Sequence, residues 1–177
     1  DDVMIPALVS KGIPYEDACG YTQIGCVETV IPGKSNPHAV TARIYVLKAL
    51  EYALSNGKSW FVADAVPGLA TGAPETLDTY EKLLDAVKAQ LKQLLRMAVT
   101  MTVRTMPAAA ASEPRPYKSL LTEGCAASGK DFNDQGALYD YYQTMLVGLP
   151  NLADSLAVFF FGWVCCGWVS HCGRCRF

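Results

Sequence analysis

The chain has 177 residues, of which 51% are hydrophobic, and its 15 basic and 17 acidic residues leave a formal net charge of −2. That length can bury one domain-sized core, and basic residues spread without a cluster argue against a nucleic-acid surface. The long apolar run at residues 156–169 is 14 residues, short of the roughly 20 a membrane-spanning helix needs.

Near the start, Asp1-Asp2-Val3-Met4-Ile5-Pro6-Ala7-Leu8 forms an apolar approach, followed by Gly12-Ile13-Pro14-Tyr15-Glu16-Asp17-Ala18. Next comes Tyr21-Thr22-Gln23-Ile24-Gly25-Cys26-Val27-Glu28. In an extended loop, residues i and i+2 share a side, so Cys26 and Glu28 can face one small ligand while Val27 turns to the wall. Gly25 lets the backbone bend just before the cysteine. The segment from Asp17 to Val30 carries little charge apart from Glu28, and a poorly solvated carboxylate is suited to take a hydroxyl proton. A short strand is expected around Val27 to Ile31.

Apolar residues at Val40, Ile44, Leu47, Leu50 and Leu54 predict an amphipathic helix over Ala39 to Leu54, ending near Asn56-Gly57. Ala63 to Pro74, with two glycines and two prolines, reads as loop. A second helix follows from Leu77, Tyr80, Leu84, Val87, Leu91, Leu94, Ala98 and Met101, with Asp78 and Glu81 as a cap and its reciprocal partner. Pro107 to Pro116 reads as a linker. Cys19, Cys26 and Cys125 form no disulfide framework, which fits a reducing cytosol, and Cys19 and Cys125 are assigned to packing.

Downstream lie Pro116-Tyr117-Lys118-Ser119-Leu120-Leu121-Thr122-Glu123-Gly124-Cys125, Gly129-Lys130-Asp131 and Gly136-Ala137-Leu138-Tyr139, then Gly148-Leu149-Pro150-Asn151-Leu152-Ala153-Asp154-Ser155-Leu156-Ala157. Together with the cysteine phrase and its approach, these motifs resemble the glycyl radical enzymes, the family of the pyruvate formate-lyase-like domain. The resemblance covers roughly residues 1–157. A single cysteine followed two residues on by glutamate is similar to the dehydratase and lyase branch, and Thr29 to His38 is closer to the hydroxyproline type than to the glycerol type.

The resemblance implies an α/β fold. The chain would be a fragment of a ten-stranded barrel, mostly helical with a few short strands. In the parent enzyme Cys26 would become a thiyl radical that abstracts hydrogen from a small hydroxylated substrate, and Glu28 would be the base that assists elimination. His38 and Thr41 are candidate contacts to a substrate hydroxyl. No metal is implied in the fragment itself; the radical would reside on a glycine absent here, installed by a radical S-adenosylmethionine activating enzyme. The resemblance further implies a homodimeric parent, a cytoplasmic setting and an anaerobic cell. Two alternatives stand beside it: acyl transfer of the pyruvate formate-lyase type, for which a second neighbouring cysteine would be expected at the loop, and an inactive truncated product. An isolated piece of barrel would leave strand edges and apolar faces unpaired.

The end of the chain departs from the family. All 17 acids fall at or before Asp154, and four of the seven cysteines crowd into the last 13 residues. Residues 158–177 are therefore set apart from the partial catalytic domain at 1–157, as a tail with the character of a shifted reading frame. Cys165, Cys166, His171, Cys172 and Cys175 contain a Cys-x-x-Cys half-site, but no second half stands at a characteristic separation, so no metal is assigned to them.

Overall fold

The computed structural model describes residues 1–25, 28–38, 41–62 and 67–166, with the side chains of 163–166 excepted. It divides into two compact units. One comprises Asp1–Ala42 with Thr100–Met145, and the other Arg43–Val99 with Leu146–Phe177.

In the first unit, α1 (Met4–Ser10) and α2 (Tyr15–Cys19) precede a hairpin of β1 (Thr22–Ile24) and β2 (Glu28–Val30). The hairpin is antiparallel, with Thr22 opposite Val30, Gln23 opposite Thr29 and Ile24 opposite Glu28. The strand expected around Val27 to Ile31 is thus present as β2. A small core gathers under the hairpin from Leu8, Ile13, Ala18 and Ile31, with Ile5, Tyr21 and Tyr139 packed against it. Then β3 (Ser35–Asn36) pairs in parallel with β5 (Tyr139–Asp140), which sets Asp140 opposite Asn36 although 104 positions separate them in the chain. Two short helices, α5 (Pro116–Leu120) and α6 (Cys125–Ser128), precede β5. Asp17 is held by Lys34 at 2.6 Å and by the Tyr139 hydroxyl, so α2 is tied both to the residue before β3 and to β5.

The second unit is built around α3 (Val46–Leu54) and α7 (Leu149–Cys166), packed with the first part of α4 (Tyr80–Ser112). Its core comprises Val46, Ala49, Leu50, Ala53, Leu77, Leu83, Ala86, Val87 and Leu152. Full burial of a side chain such as Leu83 stabilises by about 1.5–3 kcal/mol. Gln90 is also wholly buried. Its amide accepts from Leu69 N–H at 2.9 Å and donates to Leu69 C=O at 2.8 Å, so the loop after Pro67 is pinned by a side chain standing in for a backbone partner. Gly68 is required there, because a Cβ would lie 2.7 Å from both Gln90 Oε1 and Tyr52 Cγ.

Several sequence expectations are corrected. The segment expected as one helix over Ala39 to Leu54 contains β4 (Ala42–Tyr45), which pairs with β6 (Thr144–Val147); helix begins only at Val46. Strand pairing with a distant segment overrides the local helical spacing there, and the buried stripe of α3 becomes Val46, Ala49, Leu50, Tyr52 and Ala53. The end near Asn56-Gly57 is as expected, both residues having positive φ. α4 begins at Tyr80, and Thr79 caps it in place of Asp78, its hydroxyl accepting from Lys82 N–H at 3.3 Å. Asp78 instead pairs with the Lys82 ammonium. The expected linker from Pro107 is helical as far as Ser112, since proline costs one backbone hydrogen bond while Ala108 to Ala111 are the best helix formers. Cys125 is buried as expected, whereas Cys19 is exposed on α2.

Helix and short strand pairs make up the structure, and no closed barrel forms among the described residues. Large apolar side chains remain exposed in both units, including Val103, Tyr117 and Leu120 in the first and Phe61, Trp60 and Val99 in the second. Among the described residues no helix is long and apolar enough to cross a membrane. The Cys-x-x-Cys of the tail lies outside the described residues.

Candidate functional site

The β1–β2 hairpin is closed by residues 25–27, of which Cys26 and Val27 lie outside the described residues. The expectation that Cys26 and Glu28 share one face therefore concerns a position outside them too. The flanks of the connection are described. Gly25 has φ +56°, the left-handed conformation in which glycine bears no penalty. Glu28 is only 7% exposed, and β2 alternates buried, half-buried, buried, with Glu28 and Val30 on the inward face.

The Glu28 carboxylate lies close to Gly25. A Cβ built on Gly25 would sit 2.5 Å from Glu28 Oε2 and 3.3 Å from its Cδ. Gly25 is thus needed twice, for its backbone conformation and for the space the carboxylate occupies. Composition around Glu28 pointed to weak solvation, and the tertiary structure supplies it.

The strand carrying Glu28 is clamped from the far side. Thr29 N–H donates to Gln143 Oε1 at 3.3 Å, Gln143 Nε2 donates to Thr29 C=O at 2.7 Å, and Tyr141 hydroxyl donates to the same carbonyl at 2.8 Å. Burial holds the Tyr141 phenol above its ordinary pKa, so it remains a donor through the neutral range. Neither Gln143 nor Tyr141 was singled out by sequence, because nothing local marks residues that act on a strand more than a hundred positions away.

His38 and Thr41 belong to a different part of the same unit. A cleft of about 390 Å³ is lined by both, with Asn36, Thr105, Arg115 and Tyr142 among the other walls; Glu28 is not among its described lining residues. His38 has φ +38°, supported by Asn36 Oδ1, which accepts from His38 N–H at 3.1 Å. Thr41 hydroxyl donates to His38 C=O. The imidazole stacks on Tyr142 with ring centres 4.0 Å apart, and Nε2 lies 2.6 Å from Asp140 Oδ1 without the alignment of a hydrogen bond. The structure therefore brings His38 and Thr41 together, with Asp140 as a partner that sequence reading did not find. The parallel β3–β5 pairing is what delivers it.

Cys125 is not a second reactive thiol at the hairpin. Burial, followed by the nearby Asp131 and Asp140 carboxylates, pushes its pKa up and keeps it protonated. Among the described residues no group of three or more His, Cys, Asp and Glu side chains could hold a metal ion.

Residues 1–159 match the family model described as pyruvate formate lyase-like. The chain is 30% identical over 155 residues to the trans-4-hydroxy-L-proline dehydratase of Clostridioides difficile, covering 88% of this chain and 19% of that enzyme. It is 29% identical over 157 residues to the (2S)-3-sulfopropanediol dehydratase of Klebsiella oxytoca, again over 19% of the relative. Among solved structures, the glycerol-bound B12-independent glycerol dehydratase of Clostridium butyricum superposes with a TM-score of 0.82 at 30% identity, over 91% of this chain and 20% of that one. The chain thus spans about a fifth of the length of the relatives it matches.

Proposed function

The chain belongs to the pyruvate formate lyase-like family of glycyl radical enzymes, and from that footing we propose that it supplies the cysteine hairpin of a longer dehydratase or lyase acting on a small hydroxylated substrate. The observation that carries this reading is the buried Glu28 carboxylate close to Gly25, at the foot of the connection that bears Cys26. The hairpin suits the role, since its three-residue connection holds one sulfur and its flank one sequestered carboxylate.

A radical stored elsewhere in the parent polypeptide, and installed there by a radical S-adenosylmethionine activating enzyme, supplies the capacity for one-electron hydrogen abstraction. In this chain Cys26 is the group that takes the hydrogen atom: the substrate C–H bond beside a hydroxyl or an amine breaks and the S–H bond forms. Glu28 accepts the proton of that hydroxyl or amine, and the leaving group departs from the neighbouring carbon with its bonding electron pair. When that group is hydroxide, the proton held by Glu28 completes a water molecule. Cys26 then returns its hydrogen atom to the product, so the net change is loss of water. A base shielded from bulk solvent acts over a short, fixed distance and is not diverted to water. The parent would act as a homodimer in the cytoplasm of an anaerobic cell, and His38 and Thr41 would contribute through the cleft they line.

The test uses the full polypeptide carrying this segment, activated without oxygen and offered trans-4-hydroxy-L-proline, glycerol and propane-1,2-diol. Turnover of one of these, lost in Cys26→Ala and in Glu28→Gln while the glycyl radical signal persists, is the expected result. Cleavage of pyruvate with coenzyme A, or undiminished turnover by Cys26→Ala, would overturn the reading.

A further inference from the structure

We infer that Gln143 is a positioning residue for the Glu28 carboxylate, acting through the peptide groups of Thr29; the inference rests on the role proposed for Glu28. It starts from the alternation of an antiparallel ladder. Backbone N–H and C=O groups point to opposite edges at successive residues, and β2 has only three residues, Glu28, Thr29 and Val30. Thr29 directs its N–H and C=O away from β1, to the edge where Gln143 sits.

Both groups are filled by one primary amide, which donates and accepts as the peptide of a third strand would. The amide can sit only one way round, because the Thr29 N–H requires Oε1 and the Thr29 carbonyl requires Nε2. Gln143 is anchored in turn through its own backbone, its carbonyl accepting from Thr41 N–H at 3.0 Å. Tyr141 adds a second donor to the Thr29 carbonyl and reaches Ser35 Oγ at 3.4 Å. Ser35 Oγ in turn accepts from Ile31 N–H at 2.8 Å. On the C-terminal side of Glu28, Thr29 is therefore fixed by side chains from the segment after β5, and Ile31 by Ser35 of β3.

The Glu28 carboxylate lies against Gly25, so rotation or sliding of β2 about Thr29 moves the carboxylate relative to the connection that carries Cys26. Displacements near 1 Å at a reacting group can lower turnover by about a hundredfold. Gln143 meets neither substrate nor sulfur in this account; it sets where the base stands.

The experiment compares Gln143→Ala and Gln143→Glu in the full, activated polypeptide, using whichever of the three test substrates it turns over fastest. Gln143→Ala is expected to lower kcat about 10- to 100-fold, with KM changed less than about threefold and the glycyl radical signal unchanged. Gln143→Glu keeps the acceptor for Thr29 N–H but turns a charged oxygen toward the Thr29 carbonyl. Its kcat is therefore expected to recover as the medium is acidified and the new carboxyl regains a proton to donate, a recovery the unsubstituted enzyme does not show. Wild-type kcat in Gln143→Ala beside an inactive Glu28→Gln overturns the inference, as does a loss confined to KM or to thermal stability. If Gln143→Ala fails to fold, the acid recovery of Gln143→Glu decides, its absence counting against the inference. An active Glu28→Gln overturns the underlying role of Glu28 instead.

Discussion

Replacing Gly25 by alanine puts a methyl group where the Glu28 carboxylate lies. The new Cβ would be 2.5 Å from Oε2, and ordinary contact begins at 3.4 Å, so the carboxylate must retreat by about 0.9 Å or the turn must open. Alanine also pays roughly 1–2 kcal/mol for the left-handed backbone at φ +56°. The two effects separate through Gly33→Ala, because Gly33 has φ +72° but nothing within 4 Å of its notional Cβ. Both variants should lose stability of about 1–2 kcal/mol in denaturant titrations. Only Gly25→Ala should lose turnover, by about a hundredfold for a displacement near 1 Å. The assay is kcat per glycyl radical in the activated full polypeptide, with unfolding midpoints measured alongside. Equal turnover in the two variants would refute the reasoning, since it would mean that the carboxylate either does not occupy that space or does not need to.

Two further predictions concern structure. Gln90→Met should destabilise by about 2–6 kcal/mol, because it strands the Leu69 N–H and C=O at about 1–3 kcal/mol each; a loss of unfolding free energy below about 0.5 kcal/mol in a denaturant titration would contradict the pinning. Asp17 is held below the usual carboxylate range, first by the hydrogen bond from Lys34 and then by that from Tyr139. With its folded pKa depressed, its stabilising contribution is present above the unfolded value of about 3.9 and is lost as pH falls through the folded one. Asp17→Asn should flatten the acid limb of the stability profile, and an acid limb unchanged from the parent's would assign the loss to other groups.

The residues to which the proposed chemistry is assigned stand together in the sequence: Cys26 and Glu28 are two apart with a glycine ahead of them, a spacing that any short window contains. The apolar period of the second helix survived for the same reason, although its buried face settled on Leu83, Ala86, Val87 and Gln90, beside the stripe through Leu84. The segment Ala42–Tyr45 was misread because helical spacing and a short paired strand look alike over four residues, and the partner that decides between them, β6, lies about a hundred positions on.

What only the tertiary structure decided is how the Glu28 carboxylate is enclosed. A composition poor in charge predicts weak solvation, but Glu28 is buried because the hairpin lies on a core, and Thr29 is fixed because Gln143 and Tyr141 arrive from the far end of the unit. His38 likewise acquires Asp140 and Tyr142 only once β3 has paired with β5. Spacing along a chain dictates which side chains share a face, whereas contacts closed over a hundred residues depend on loop closure and packing that no short stretch of sequence contains.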